Sequence, residues 1–208
     1  MIATINLSYP FYGHWQVRNS PANRLPSHGT TQFATAHAID FGPVNEDGKS
    51  AIYTLNTFFR PEPPEKFVGF GREIHSRING TVMAVHYGEP DHTAYRGLLS
   101  IHYAFTQNSR IGDGWKGLAG NHVLIGTVGV VIALCHLRQG SITVSLHQAV
   151  VVGQVMAECG NSGNSTEPHL HIQAMDSPEP EAAAAIPMPF RGELPRNGAI
   201  VTASRASS

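Results

Sequence analysis

Residues 160–173 are a run of small, polar, turn-forming residues that ends in His169-Leu170-His171. In a strand, residues i and i+2 share a face. The two imidazoles therefore point the same way, and Leu170 and Ile172 point the other way. Imidazole is the commonest metal ligand, so this segment can offer two nitrogen groups to one ion and its chemistry. Two ordinary strand histidines would look the same, and the difference lies in what else the chain can bring to the site.

Three other positions are candidates to complete it. Asp40 stands in Ala36-His37-Ala38-Ile39-Asp40-Phe41, a carboxylate among apolar strand residues. Such a group is costly to bury unless it is paired or bound to a metal; capping a turn at a strand end is the plainer role. His28 lies in the turn Pro26-Ser27-His28-Gly29, where a solvent-facing histidine is equally at home. His136 follows the apolar run that ends in Cys135 and also fits a satisfied core histidine. Taken together, two imidazoles and one carboxylate leave a fourth position open, as catalytic zinc requires. Zinc lowers the pKa of water to about 7 and polarises a carbonyl. Further histidines beside it can move the proton and steady an oxyanion. No His-Glu-x-x-His helix is present, which excludes a helical metalloprotease.

The elements that would hold these groups are strands. Helical periodicity is nearly absent, and short apolar runs alternate with Gly, Asn and Asp turns, which predicts an all-β domain. Candidate strands are Ala38–Phe41, Ala51–Phe58, Gly80–Tyr87, His122–Thr127, Val130–Leu137, Val150–Val155 and His169–Met175. The three prolines of Arg60–Phe67 make that segment a loop or an edge. Residues 107–120 read as a surface loop able to line a groove. After Met175, a Pro/Glu-rich stretch and four alanines predict a helical turn or linker, and Ser204–Ser208 a frayed end.

At 208 residues a single domain is expected, with a core over about 20–176 and a C-terminal extension over 177–208. The formal net charge is −1, and only 14% of residues are charged. That excludes a nucleic-acid footprint and a polybasic membrane patch. The 12 histidines are the compositional feature. Cys135 and Cys159 form neither a disulfide framework nor a zinc knuckle. They read as buried thiols, with one disulfide as the alternative. The N-terminus lacks a basic segment followed by an apolar run, and no stretch approaches the roughly 20 apolar residues of a membrane span. By sequence alone the expectation is a cytoplasmic protein.

Gly160-Asn161-Ser162-Gly163 through His169-Leu170-His171-Ile172 resembles the signature of the M23 zinc metallopeptidases, the lysostaphin/LytM-type endopeptidases of peptidoglycan. Other segments are similar to the family as well: Ile74–Val82, with Asn79 where the family has an acid; Gly120-Asn121-His122-Val123; Cys135-His136-Leu137; and Val152-Gly153-Gln154. The resemblance implies a curved antiparallel sheet with long loops lining a groove, and one zinc ion. It implies zinc ligation by His171 and Asp40, and catalytic roles for His136 and His169. It also implies a peptide or peptidoglycan substrate, and an extracellular or cell-envelope location if the chain is exported as the family usually is.

The first histidine ligand departs from the family's His-x-x-x-Asp pattern, because Ala36 stands four residues before Asp40. His37, three residues before it, faces the opposite side of a regular strand unless a bulge intervenes. His28 reaches the metal if residues 29–35 loop out, and its His-Gly step is the one the family uses. His28, Asp40 and His171 are therefore the expected metal ligands. Two other classes compete: an M23-like module that binds wall peptides or activates another hydrolase without cutting, and a carrier hairpin around Val150–Gln154. The second needs a modifiable lysine, and no lysine follows Lys116.

Overall fold

The computed structural model describes residues 4–53, 57, 60–96 and 114–205. Short strands, several of them buried on both faces, form a nine-stranded antiparallel sheet. In chain order its strands are β1 (Gly13–Arg18), β2 (Ile39–Pro43), β4 (Gly80–His86), β5 (His122–Thr127), β6 (Val130–Cys135), β7 (Ala149–Val150), β9 (Leu170–Met175), β10 (Ala185–Ile186) and β11 (Ile200–Ala203). β3 (Glu73–His75) and β8 (Val155–Glu158) pair separately. The sheet runs β11-β1-β2-β9-β6-β5-β4-β7, with β10 also on β9. This is the all-β, antiparallel fold the sequence predicts. Helix is confined, among the described residues, to short 3-10 segments and one six-residue α-helix, α1 (Gly114–Ala119).

The central strands β2, β9 and β6 separate two environments by their period of two. Ile39, Phe41, Leu170, Ile172, Ile132 and Leu134 enter the main core with Trp15, Phe11 and Phe190. Phe11 stacks on Trp15 with ring centroids 4.1 Å apart. Each such fully buried large side chain contributes roughly 1.5–3 kcal/mol. The intervening residues Asp40, His171, Gln173 and Cys135 take the opposite face. There a smaller core of Ala34, Trp115, Leu124, Ala133, Cys135 and Met175 adjoins them. The functional face is thus backed by the best-packed part of the molecule.

Several expectations shift. Ala51–Tyr53 form no strand, and most of the remaining 54–59 segment lies outside the described residues. The expected strand Val150–Val155 divides into β7 and β8 around a turn in which Gly153 has φ +88° and Gln154 N–H donates to Val151 O. Residues 114–119 are helix instead of loop, while 107–113 lie outside the described residues. Beyond the bends and turns of 176–182, where a helical turn or linker is predicted, β10 and β11 add two unpredicted strands to the sheet. β11 pairs with β1 in the register Gly13↔Ala203 to Gln16↔Ile200. Strands β1, β3, β10 and β11 are absent from the predicted set. Cys135 and Cys159 are both buried and free. No helix among the described residues is long and apolar enough to cross a membrane.

Candidate active site

Asp40 and His171 are a register pair between β2 and β9. His171 Nδ1 lies 2.9 Å from Asp40 Oδ1. His28 Nε2 approaches the other oxygen, Oδ2, at 3.1 Å. His28 arrives from outside the sheet. Residues 28–36 form an excursion closed at its base by Ser27, whose N–H donates to Ala36 O at 3.0 Å and whose hydroxyl donates to Thr35 O at 3.1 Å. This is the looping-out that a His28 ligand requires. His37 ends the 3-10 segment Gln32–His37 and lies outside the His28, Asp40, His171 group. The ligand atoms of that group lie within 4.8 Å of one another. It is the cluster suited to a metal ion among the described residues.

His136 and His169 stand beside the group. Their ring centroids are 4.7 Å apart, and His136 is 5.8 Å from His171. His136 follows β6 directly and takes a left-handed conformation, φ +60°. That bend turns its ring into the site, and Nδ1–H donates to Ser162 O at 2.9 Å. His169 immediately precedes β9. Its Nδ1–H faces Glu167 O at 2.9 Å and the Ser165 hydroxyl at 3.0 Å. In both rings an Nδ1–H held by a backbone acceptor leaves the Nε2 lone pair available. His169 Nε2 lies 3.8 Å from Asp40 Oδ1.

Burial and charge set the protonation of this set. Burial alone would raise the Asp40 carboxyl. The charges of His28 and His169 and hydrogen bonds from His171 and His28 outweigh it and hold the group well below the usual carboxylate range. Burial, with the neighbouring charges of His169 and His171, pushes His136 well below the ordinary histidine value. Burial also lowers His169, against the opposing pull of Asp40. Burial depresses His171 too, but its hydrogen bond and charge interaction with Asp40 prevail and raise it.

These groups line a cavity of about 350 Å³. Trp115 and Leu118 of α1, Phe33 of the excursion, and Arg18, Asn19 and Thr166 complete much of its wall. Asn19, with φ +46° just past β1, donates to Asp40 Oδ2 at 2.7 Å. Arg18 is ion-paired with Glu167, which is buried and also accepts from the Ser50 hydroxyl at 3.3 Å. Glu167 is therefore a buried anchor, whereas its turn sequence suggests a solvated residue.

The signature's other residues hold the scaffold. Gly160 is required for space, since a Cβ there would sit 2.3 Å from Arg138 N. Asn121 bridges chain segments, accepting from Glu89 N–H and donating to Glu89 O and Leu137 O. Asn79, in the acid's place, accepts from Val152 N–H at 3.0 Å. His122 is buried. Its Nδ1–H donates to Gly120 O, and its Nε2 accepts from Trp115 Nε1–H at 3.2 Å. His122 thus orients a cavity-wall side chain. His102 lies outside the described residues.

Four supporting residues escape the sequence reading: Asn19, Trp115, Ser165 and Gln173. Gln173 is legible in hindsight, two residues beyond His171 on the same face. Asn19 and Trp115 reach the site through tertiary packing and leave no local signal.

Residues 68–182 match the model of Peptidase family M23, and the chain belongs to that family. The matched span contains His136, His169 and His171, and His28 and Asp40 precede it. None of the curated proteins matches the chain. Among solved structures, the chain is similar to a catalytic-domain variant of the prophage-encoded M23 protein EnpA from Enterococcus faecalis. The identity is 18%, coverage is 73% of this chain and 76% of that one, and the TM-score is 0.41. It is also similar to the catalytic domain of the antimicrobial peptidase lysostaphin from Staphylococcus simulans, with 15% identity, 84% and 88% coverage and a TM-score of 0.41. A zinc-containing peptidase from Vibrio cholerae shows 17% identity, 76% and 50% coverage and a TM-score of 0.38.

Proposed function

We propose that this chain is a zinc-dependent metalloendopeptidase that hydrolyses peptide bonds in peptidoglycan cross-bridges or similar short peptides. The observation that carries the proposal is the convergence of His28, Asp40 and His171 on one point, with His136 and His169 beside it.

The donor set suits zinc. Two imidazole nitrogens and one carboxylate oxygen are the ligand types of open catalytic zinc sites. Asp40 is held as the anion. The second nitrogen of each ligand histidine has a protein partner, Ser27 Oγ at 3.0 Å for His28 and Gln173 Oε1 at 3.0 Å for His171. Such outer contacts fix ligand orientation. His28, Asp40 and His171 would hold the zinc ion, which when bound would lower the pKa of water to about 7 and polarise a carbonyl.

The remaining chemistry belongs to the chain. His136 takes the proton of the attacking water at Nε2 and returns it to the departing amine. Burial holds its ring in the neutral form, with Nε2 unprotonated. His169, fixed by Glu167 O and Ser165, stabilises the carbonyl oxygen as it becomes negative by donating from Nε2 when that nitrogen carries a proton. The cavity lined by Trp115, Phe33 and Thr166 is where an extended peptide would lie against these histidines. The whole chain acts as one peptidase domain, and a peptidoglycan substrate places it at the cell envelope or outside the cell.

Incubating the zinc-loaded protein with pentaglycine or a muropeptide and measuring released amine tests the proposal. Zinc-dependent release is expected. A protein that binds zinc stoichiometrically yet cuts neither substrate is a binding module instead.

A further inference from the structure

Gln173 is fully buried and touches both halves of the candidate metal centre. Its Oε1 lies 3.0 Å from His171 Nε2. Its Nε2 donates to Phe33 O at 2.7 Å and approaches Met175 Sδ at 3.7 Å. Phe33 lies near the tip of the excursion that carries His28. Phe33 and Ala34 have φ of +55° and +58°, a left-handed conformation that residues other than glycine rarely adopt. Ser27 closes the base of this excursion, and Gln173 fastens its tip.

The chemistry of the amide settles the direction of both bonds. A primary amide has one accepting oxygen and one donating nitrogen. A backbone carbonyl only accepts, so the nitrogen must face Phe33 O and the oxygen must face His171. His171 Nε2 must then carry the hydrogen, so Nδ1, which donates to Asp40 at 2.9 Å here, is the nitrogen that would give up its proton to ligate.

We propose that Gln173 is the positioning residue of the metal centre: one amide selects the His171 tautomer that can ligate through Nδ1, and ties that ligand to the excursion bearing His28. The inference rests on the zinc reading above and adds a residue that neither ligates nor touches substrate.

The test uses the full chain and zinc alone. Zinc affinity is measured by competition with a chromogenic chelator for wild type, Gln173→Met and Gln173→Glu. The visible spectrum of the cobalt-substituted forms reports ligand geometry. Outer-shell partners of this kind are worth about 10–100-fold in affinity. Gln173→Met should bind zinc that much more weakly and shift the cobalt spectrum. Gln173→Glu keeps an acceptor for His171 Nε2–H but loses the donor to Phe33 O, so it should recover part of the loss and no more. Long-range proton–nitrogen NMR of zinc-loaded wild type needs no variant and should show His171 protonated at Nε2. Met-variant affinity within about twofold of wild type, equal losses in both variants, or His171 protonated at Nδ1 would each overturn the inference. Failure of wild type to bind zinc would instead remove the functional reading beneath it.

Discussion

Asp40 and His171 meet across the β2–β9 register, with Nδ1 of the histidine 2.9 Å from Oδ1 of the carboxylate. Their contact follows from strand pairing, and the apolar neighbours Ile39, Phe41, Leu170 and Ile172 hold that pairing from the other face. A one-residue slip of either strand would carry its own group toward the core and away from its partner. The two secure corners of the site are therefore fixed by the most stable part of the fold.

Asp40 supplies the only carboxylate of the proposed ligand set. Asp40→Ala should weaken zinc binding by at least about 100-fold, beyond the effect typical of outer-shell changes. Competition with a chelator reads the change. Retention of wild-type affinity would place the ion elsewhere.

His136 and His169 are assigned to proton transfer and oxyanion stabilisation. His136→Ala and His169→Ala should keep near-normal zinc content while kcat falls about 10²–10⁴-fold. Metal analysis and turnover on the same preparations separate the two effects. Loss of zinc in step with activity would make these histidines ligands.

His122 couples stability to acid. Burial lowers it from the ordinary 6.5 to about 4, so the unfolded chain binds the proton more readily. The stability held by the neutral ring is complete above pH 6.5 and is lost as pH falls toward 4. At about 1.4 kcal/mol per pH unit the loss reaches about 3 kcal/mol. Denaturant unfolding at pH 7, 5.5 and 4 measures it. His122→Gln, which can still donate to Gly120 O and accept from Trp115, should flatten this part of the profile. An unchanged slope in that variant would assign the acid sensitivity to other groups.

Gly160 and Gly129 make a matched pair. A Cβ at Gly160 would meet the backbone of Arg138 at 2.3 Å, whereas Gly129 has φ +71° and nothing within 4 Å. Gly160→Ala should cost about 3 kcal/mol or more through overpacking, and Gly129→Ala about 1 kcal/mol through backbone strain alone. Thermal or denaturant unfolding compares them. Equal costs would mean that the signature glycine serves only its backbone angle.

The sequence is most readable where one strand's periodicity does the work. Leu170–Gln173 alternate apolar and polar, so the His-x-His face and its core-facing partners follow from residue types. β1 and β11 are harder to read, because their pairing joins chain ends about 190 residues apart and depends on tertiary contact. α1 is hidden by two glycines in a six-residue helix, a length at which packing outweighs propensity. At the site, the sequence favours His28 over His37 only through its His-Gly step. His28 is brought beside Asp40 and His171 by the closure of residues 28–36 onto Ser27 and Gln173, a set of non-local hydrogen bonds with no periodic trace. Glu167 shows the same limit: its turn context suggests solvent, and its burial comes from Arg18 and Ser50, distant in the chain.

The most direct test of the account is the zinc content of purified wild type, His28→Ala and His37→Ala, measured by elemental analysis after dialysis against trace chelator. The account predicts one zinc per chain in wild type and His37→Ala, and essentially none in His28→Ala. Full occupancy in His28→Ala, or its loss in His37→Ala, would contradict it.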